Sequence, residues 1–228
     1  MPSPHNGGSG PESFADALRR SRLYAILDID LTRAHGLDPS AVFDAWLDAG
    51  VRVVQLRAKS LPTGELLRTA ATFARRARSV EARLIVNDRA DVARLSGADG
   101  VHVGQDDLPP ADVRRVLEAD GIVGRSTHSA DEFEHALSEP IDYIAIGAVF
   151  ITGTKPAGHP VVGLDRLAAW APRAAGTGRP VVAIGGITLE RAADVVRAGA
   201  TAVAVISDLL VGDCRRRAAD FLSALQVL

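Results

Sequence analysis

The chain has 228 residues, 47% hydrophobic and 24% charged, which excludes a disordered or fibrous protein and suits one large domain that buries its own core. A net charge of −2 without a strongly basic block argues against a nucleic-acid partner. No apolar run approaches the roughly 18 residues of a membrane span, and the single cysteine, Cys214, excludes a disulfide framework, a zinc finger or a CxxC centre.

In chain order, residues 1–12 are mostly Pro, Gly, Ser and Asn with no apolar stretch. They read as a disordered tail rather than a secretory signal, ahead of a single domain over 13–228, and the expected location is cytoplasmic. Short apolar runs then recur at Tyr24–Leu27, Val51–Leu56, Leu84–Val86, Gly100–Val103, Ile122–Val123, Tyr143–Ile146, Val181–Ile184 and Ala202–Ile206. Most are continuous rather than alternating, the pattern of parallel strands covered on both faces. Helical spacing lies between them at Pro39–Ala49 (N-cap Asp38, with Gly50 just beyond), Thr63–Ser79, a short Ala90–Leu95, Pro109–Ala119, Ser129–Leu137, Leu164–Trp170, Leu189–Ala198 and Asp213–Leu225. Eight strands alternating with eight helices predict an α/β fold, a single-domain (β/α)8 TIM barrel. A doubly wound open sheet is the alternative, but no GxGxxG follows the first strand.

Barrels of this kind carry their chemistry at the carboxyl ends of the strands, so polar residues just past each apolar run are the candidates. Gln55, Arg57 and Lys59 share one parity after the second strand and can all face the barrel mouth, where two cations and an amide suit a phosphate. A solvated loop of ordinary charges is the competing reading. Asn87-Asp88-Arg89 follows the third strand and Gly104-Gln105-Asp106-Asp107 the fourth. Asp88 and either Asp106 or Asp107 would therefore share a rim, able to hold Mg²⁺ together with substrate phosphate and water. Against this stands helix capping, by Asp88 from Arg89 onward and by Asp107 at Pro109. Past the fifth strand Ser126 can donate to an anion, and His128 can act as a base or a capping group. His102, between Val101 and Val103, is expected to be structural, and no triad spacing accompanies any histidine. Thr152, Gly153, Thr154 and Lys155 offer compact anion donors in a Gly/Pro-rich stretch reaching Gly163 that could serve as a lid. Gly185-Gly186 and Ile206-Ser207 follow strands seven and eight, where such barrels frequently bind a phosphate. The residues alone thus predict two anion sites, one for a diphosphate with metal ligands beside it and one for a monophosphate. That describes an enzyme joining or rearranging phosphorylated small molecules.

QLRAK, NDRADVA, ADGVHVGQDDLP, GRSTHS, TGTKP, AIGGI and AVIS, each at a strand end between about Tyr24 and Leu225, resemble the thiamine phosphate synthase family in order and spacing. The resemblance implies a Mg²⁺-dependent TIM-barrel transferase. It would join 4-amino-2-methyl-5-(diphosphooxymethyl)pyrimidine to 4-methyl-5-(2-phosphooxyethyl)thiazole, releasing pyrophosphate, through a dissociative step that leaves a pyrimidine-methyl cation. By motif, Gln55, Leu56, Arg57, Ala58, Lys59, Asn87, Ser126 and Lys155 look like the ligands of the pyrimidine diphosphate, with Arg57, Lys59, Lys155 and Ser126 carrying the catalysis. Thr152, Gly153, Thr154, Gly186, Ile206 and Ser207 look like the thiazole phosphate site, and Asp88 and Asp107 like the magnesium ligands. The implied partners are these small molecules, with no nucleic acid or membrane; a homo-oligomer is compatible with the sequence. Two alternatives are a thiazole tautomerase, a relative that typically lacks the GQxD carboxylate and the TxTKP loop present here, and a non-catalytic phosphate sensor. Two departures from the pattern, the tail and the first-strand ending Leu27-Asp28-Ile29-Asp30, are expected not to touch the site.

Overall fold

The strands are β1 Leu23–Asp28, β2 Val53–Arg57, β3 Arg83–Asn87, β4 Gly100–Val103, β5 Ile122–Thr127, β6 Tyr143–Gly147, β7 Val181–Ile184 and β8 Ala202–Val205, in a computed structural model that describes residues 12–117, 119–152 and 161–227. Each pairs in parallel with its neighbours in sequence, and β8 returns to β1 with Leu23 opposite Val203 and Ala25 opposite Val205. The sheet is a closed barrel, and the open-sheet alternative falls. The runs are mostly apolar because each strand has two buried faces, one toward the helices and one toward the barrel interior, with buried polar residues such as Gln55, His102 and Ser126 as exceptions.

The helices are α1 Phe14–Ser21, α2 Ile29–Ala34, α3 Pro39–Ala49, α4 Thr63–Arg78, α5 Ala90–Ser96, α6 Pro110–Val116, α7 Ala130–Ala136, α8 Gly163–Gly176, α9 Leu189–Arg197 and α10 Cys214–Gln226. Helix α3 has the predicted limits because Asp38 accepts from the amides of Ser40 and Ala41, and Gly50 ends it at φ 103°. Between barrel and helices the rings of Phe43 and Phe73 stack at 4.2 Å and those of Phe133 and Trp170 at 5.0 Å. Burying such a ring contributes about 1.5–3 kcal/mol. Helix α10 packs against α3 and α9, completing the outer ring. No described helix is long and apolar enough to cross a membrane.

Two helices escape the sequence pattern. α2 is a short insertion started by Asp28, whose Oδ1 accepts from the Leu31 amide at 3.0 Å. α1 lies ahead of β1, where Phe14, Ala17 and Leu18 pack with Tyr24, Ile26, Ile85, Tyr143 and Val182 and plug the amino end of the barrel. Helix α8 also runs on beyond Trp170 through Pro172, because Ala171 and Ala174 extend its buried stripe. Of the segment 1–12 only Glu12 is described, and its carbonyl accepts from Arg83 at 2.9 Å.

The barrel interior needs one glycine in particular. Gly124 lies in register between His102 and Tyr143, and a Cβ there would sit 2.0 Å from Cζ of the Tyr143 ring. Gly124→Ala should therefore cost about 1–3 kcal/mol or more through overpacking, seen as a thermal midpoint lowered by several degrees. Leu95→Ala, at a position 72% exposed, should stay within about 0.5 kcal/mol. Equal midpoints for the two variants would contradict the packing described.

Candidate active site

Inward parity gathers one cavity at the carboxyl end of the strands. Its polar wall comes from β2 to β5 and the loops after them: Gln55, Arg57, Lys59, Asn87, Asp88, His102, Asp107 and Ser126. Its apolar wall comes from Ile26, Ala145, Val182, Ile184, Ala204 and Ile206. An anion is thus favoured on one side and a flat ring on the other. The parity argument for Gln55, Arg57 and Lys59 holds. It also turns their neighbours away: Leu56 is buried in the layer between barrel and helices and Ala58 packs against that layer, so neither side chain reaches the cavity.

Both cations at the rim already have partners. The Arg57 guanidinium donates to Asp28 Oδ2, directly across the β1–β2 register, and Lys59 Nζ donates to Asp88. This corrects the expectation that the first-strand departure leaves the site untouched. Asp28 is 3% exposed, and a carboxylate so buried needs a partner, which Arg57 supplies. Asp30, the other acid of that departure, accepts from the Ser60 amide at 3.3 Å and from its hydroxyl.

Neither candidate metal ligand caps a helix. The residues ahead of α5 and α6 are Arg89 and Pro109, and neither makes a side-chain capping bond. Asp107 Oδ2 instead accepts from the Gly104 amide at 2.7 Å, folding the post-β4 loop back on itself. Asp88 stands at φ 63°, in the left-handed region that is uncommon for non-glycine residues but tolerated by aspartate. Burial, foremost, and then the Asp107 carboxyl beside it push the Asp88 carboxyl above the usual range, against the pull of Lys59. Two adjacent carboxylates that repel each other fit a divalent cation. Among the described residues no cluster of three or more such ligands exists, so this pair would depend on substrate oxygens and water to complete a shell. Asp106 does not line the cavity.

The loop bearing Asp107 rests on a buried cation. Arg125 donates to the Gly104 carbonyl at 2.6 Å and to Gln105 Oε1 at 3.1 Å, while Glu139 stands 3.3 Å from its Nε. Gln105 Nε2 donates on to the Ser126 carbonyl at 2.6 Å. The β6 and β7 loops interlock as well: Val149 and Phe150 donate to Ile184 and Gly185. Gly186 has φ +62°, and a Cβ there would meet the Ile151 carbonyl at 2.5 Å, so this glycine serves loop packing before any phosphate contact. Thr152 is described; Gly153, Thr154 and Lys155 lie outside the described residues. Ile206 lines the cavity, and Ser207 opens a short 3₁₀ turn to Leu210.

The histidines divide clearly. The amide and Nδ1 of His128 both meet Glu132 Oε2, at 2.7 and 3.1 Å, while the cap of α7 is Ser129, so His128 makes a structural contact at the start of that helix and is not its cap. His102 faces the cavity with its Nε2 2.8 Å from Ser126 Oγ and its Nδ1 2.9 Å from the Tyr143 hydroxyl. With Tyr24 and Tyr143 it belongs to a site wall that the sequence reading missed. The available signal was parity, since His102 lies in step with Gly100 and Gly104 and out of step with the outward valines.

The family model described as thiamine monophosphate synthase matches residues 23–209. The chain is similar to the thiamine-phosphate synthase of Koribacter versatilis, at 45% identity over 93% of this chain and 99% of that protein. It is similar to that of Acidothermus cellulolyticus at 44% identity, over 93% and 97%. The solved thiamine phosphate pyrophosphorylase from Pyrococcus furiosus superposes with a TM-score of 0.80 at 30% identity, over 92% of this chain and 98% of that one.

The raised Asp88 carboxyl sets a pH dependence. The folded protein holds this proton to higher pH than the unfolded chain does, so its contribution to stability is intact at low pH. It is lost as pH rises from the ordinary aspartate range through the raised one. Compared by denaturation in chelator, Asp88→Asn should gain on the parent as pH climbs through that window. A difference that does not vary with pH would refute the assignment.

Proposed function

The chain belongs to the thiamine monophosphate synthase family, and on that premise we propose how its cavity carries the family's reaction. It is a transferase that joins the pyrimidine diphosphate to the thiazole phosphate, giving thiamine phosphate and pyrophosphate. The observation that carries the site assignment is the pair Asp88 and Asp107, both released from helix capping and set beside Arg57 and Lys59 on one cavity wall.

In this reading the pyrimidine lies between Gln55 and Ser126, with its diphosphate toward Arg57, Lys59, Asn87 and, from beyond the described residues, Lys155. Arg57 and Lys59 exchange their carboxylate partners, Asp28 and Asp88, for phosphate oxygens. Asp88 and Asp107 would hold Mg²⁺, which when bound neutralises charge on the departing diphosphate. Leu56 and Ala58 contribute at most their backbone. Thr152, Gly186, Ile206 and Ser207 would hold the thiazole phosphate, together with Gly153 and Thr154 from beyond the described residues.

Chemistry then needs no nucleophile from the protein. Cys214 is buried at the start of α10, its thiol pushed up by burial and by Asp213, and it does not line the cavity. The exocyclic C–O bond of the pyrimidine breaks with its electron pair leaving on pyrophosphate, and the 4-amino group stabilises the resulting cation. The thiazole nitrogen supplies the pair for the new C–N bond. Ala145, Val182, Ile184 and Ala204 line the side where this cation must be kept from water. Each preorganised donor to the leaving group is worth about 3–4 kcal/mol, or roughly 10²- to 10³-fold in rate.

Incubation with both substrates and Mg²⁺ should yield thiamine phosphate and pyrophosphate by mass detection. Turnover of the thiazole alone would favour a tautomerase instead. Asp88→Asn and Asp107→Asn should remain folded but raise the Mg²⁺ requirement by about 10- to 100-fold, the scale seen on weakening a metal's ligand shells. Unchanged Mg²⁺ dependence in both would refute the metal site. Electron-withdrawing substituents on the pyrimidine should slow single turnovers by orders of magnitude without matching loss of binding, and a flat series would indicate direct displacement.

A further inference from the structure

Beneath the charged rim, five polar side chains from five different strands join in one unbroken row. Gln55 Nε2 donates to the Tyr24 hydroxyl at 2.9 Å, the two tyrosine hydroxyls meet at 2.8 Å, and Tyr143 meets His102 Nδ1 at 2.9 Å. His102 Nε2 completes the row to Ser126 Oγ at 2.8 Å. All five are buried, between 0% and 8% exposed. The row exists because Gly124, between His102 and Tyr143 in register, leaves its Cβ space to the Tyr143 ring. Nothing in the reaction as described uses Tyr24, Tyr143 or His102.

Proton bookkeeping gives the row a direction. Burial pushes both phenols up, so each keeps its single hydroxyl proton. With Gln55 Nε2 facing it, Tyr24 accepts that hydrogen bond and donates its own hydroxyl to Tyr143, which in turn donates to His102 Nδ1. That nitrogen is left bare, the ring proton sits on Nε2 and is given to Ser126, and the Ser126 proton turns to the cavity. Reversing one link alone would set two protons or two lone pairs against each other, so the sense of the whole row follows from which end of the Gln55 amide faces Tyr24.

We propose that His102 is a positioning residue, locked as its Nε2–H tautomer by the relay from Gln55, which fixes Ser126 as a hydrogen-bond donor to the substrate. Gln55 and Ser126, on separate strands, then read one ligand as a coupled pair. The tautomer is a property of the protein alone; only the identity of the ligand rests on the function proposed above.

The test is ¹⁵N NMR of the full metal-free chain labelled at histidine, with His102 assigned by comparison with His102→Gln. The expected spectrum has a pyridine-like Nδ1 and a pyrrole-like Nε2. Tyr143→Phe, which keeps the ring and removes the donor, should turn the tautomer into a mixture. It should also weaken binding of the pyrimidine diphosphate by about 2- to 10-fold, the worth of one hydrogen bond, and add nothing further in a Ser126→Ala background. A wild-type proton on Nδ1, or Tyr143→Phe and Ser126→Ala effects that simply multiply, would overturn the relay. The expected tautomer in a protein that does not bind the pyrimidine diphosphate would overturn the substrate reading and leave the relay standing.

Discussion

The pairing of β8 with β1 is the contact on which the cavity depends. Left open, both would be edge strands with unpaired backbone groups, and inward parity would have no interior to point into. Once Tyr24 stands opposite Ala204 across that seam, every alternate residue of the strands is committed either to the helices or to the mouth. Gln55, His102 and Ser126 become inward-facing by the same rule that buries Leu56, Val101 and Val103. Their polarity is tolerable because each finds a partner at hydrogen-bond distance.

Closure also governs the electrostatics. An interior of low dielectric penalises an isolated cation severely, yet an enzyme that handles a diphosphate needs cations at the mouth. Here each rim cation has a carboxylate of its own, Asp28 for Arg57 and Asp88 for Lys59. Deeper, Arg125 donates to a carbonyl and an amide oxygen, while its Nε stands 3.3 Å from Glu139 Oε2 as an ion pair without hydrogen-bond geometry. The positive charge at the mouth is thus held in ion pairs, so the cavity carries cations without being strongly basic.

Much of this was legible in the sequence because it follows from period and parity. Eight apolar runs gave the strands, and residues just past them gave Gln55, Arg57, Lys59, Asn87, Asp88, Asp107 and Ser126 at the cavity. What escaped depends on contacts between distant parts of the chain. Helix α1 is only 8 residues long, and its place is decided by the barrel end it plugs. The Asp28–Arg57 pair spans 29 residues and exists only through strand register. His102 reads as one polar residue in an apolar strand until Tyr143, 41 residues on, is placed beside it. Capping was a sound alternative for Asp88 and Asp107 by local rules, and only the backbone path into α5 and α6 decided against it.

The space shared by Gly124 and Tyr143 has a consequence for inheritance. A lineage that first gains a side chain at 124 inherits a barrel overpacked and strained around its tyrosine. One that first loses the tyrosine inherits a hole in the interior and a broken link beside His102. Neither single step is neutral, although a paired change could restore the volume. These two positions, 19 residues apart, should therefore drift together or not at all, and a survey of natural variation would see them as one site written in two places.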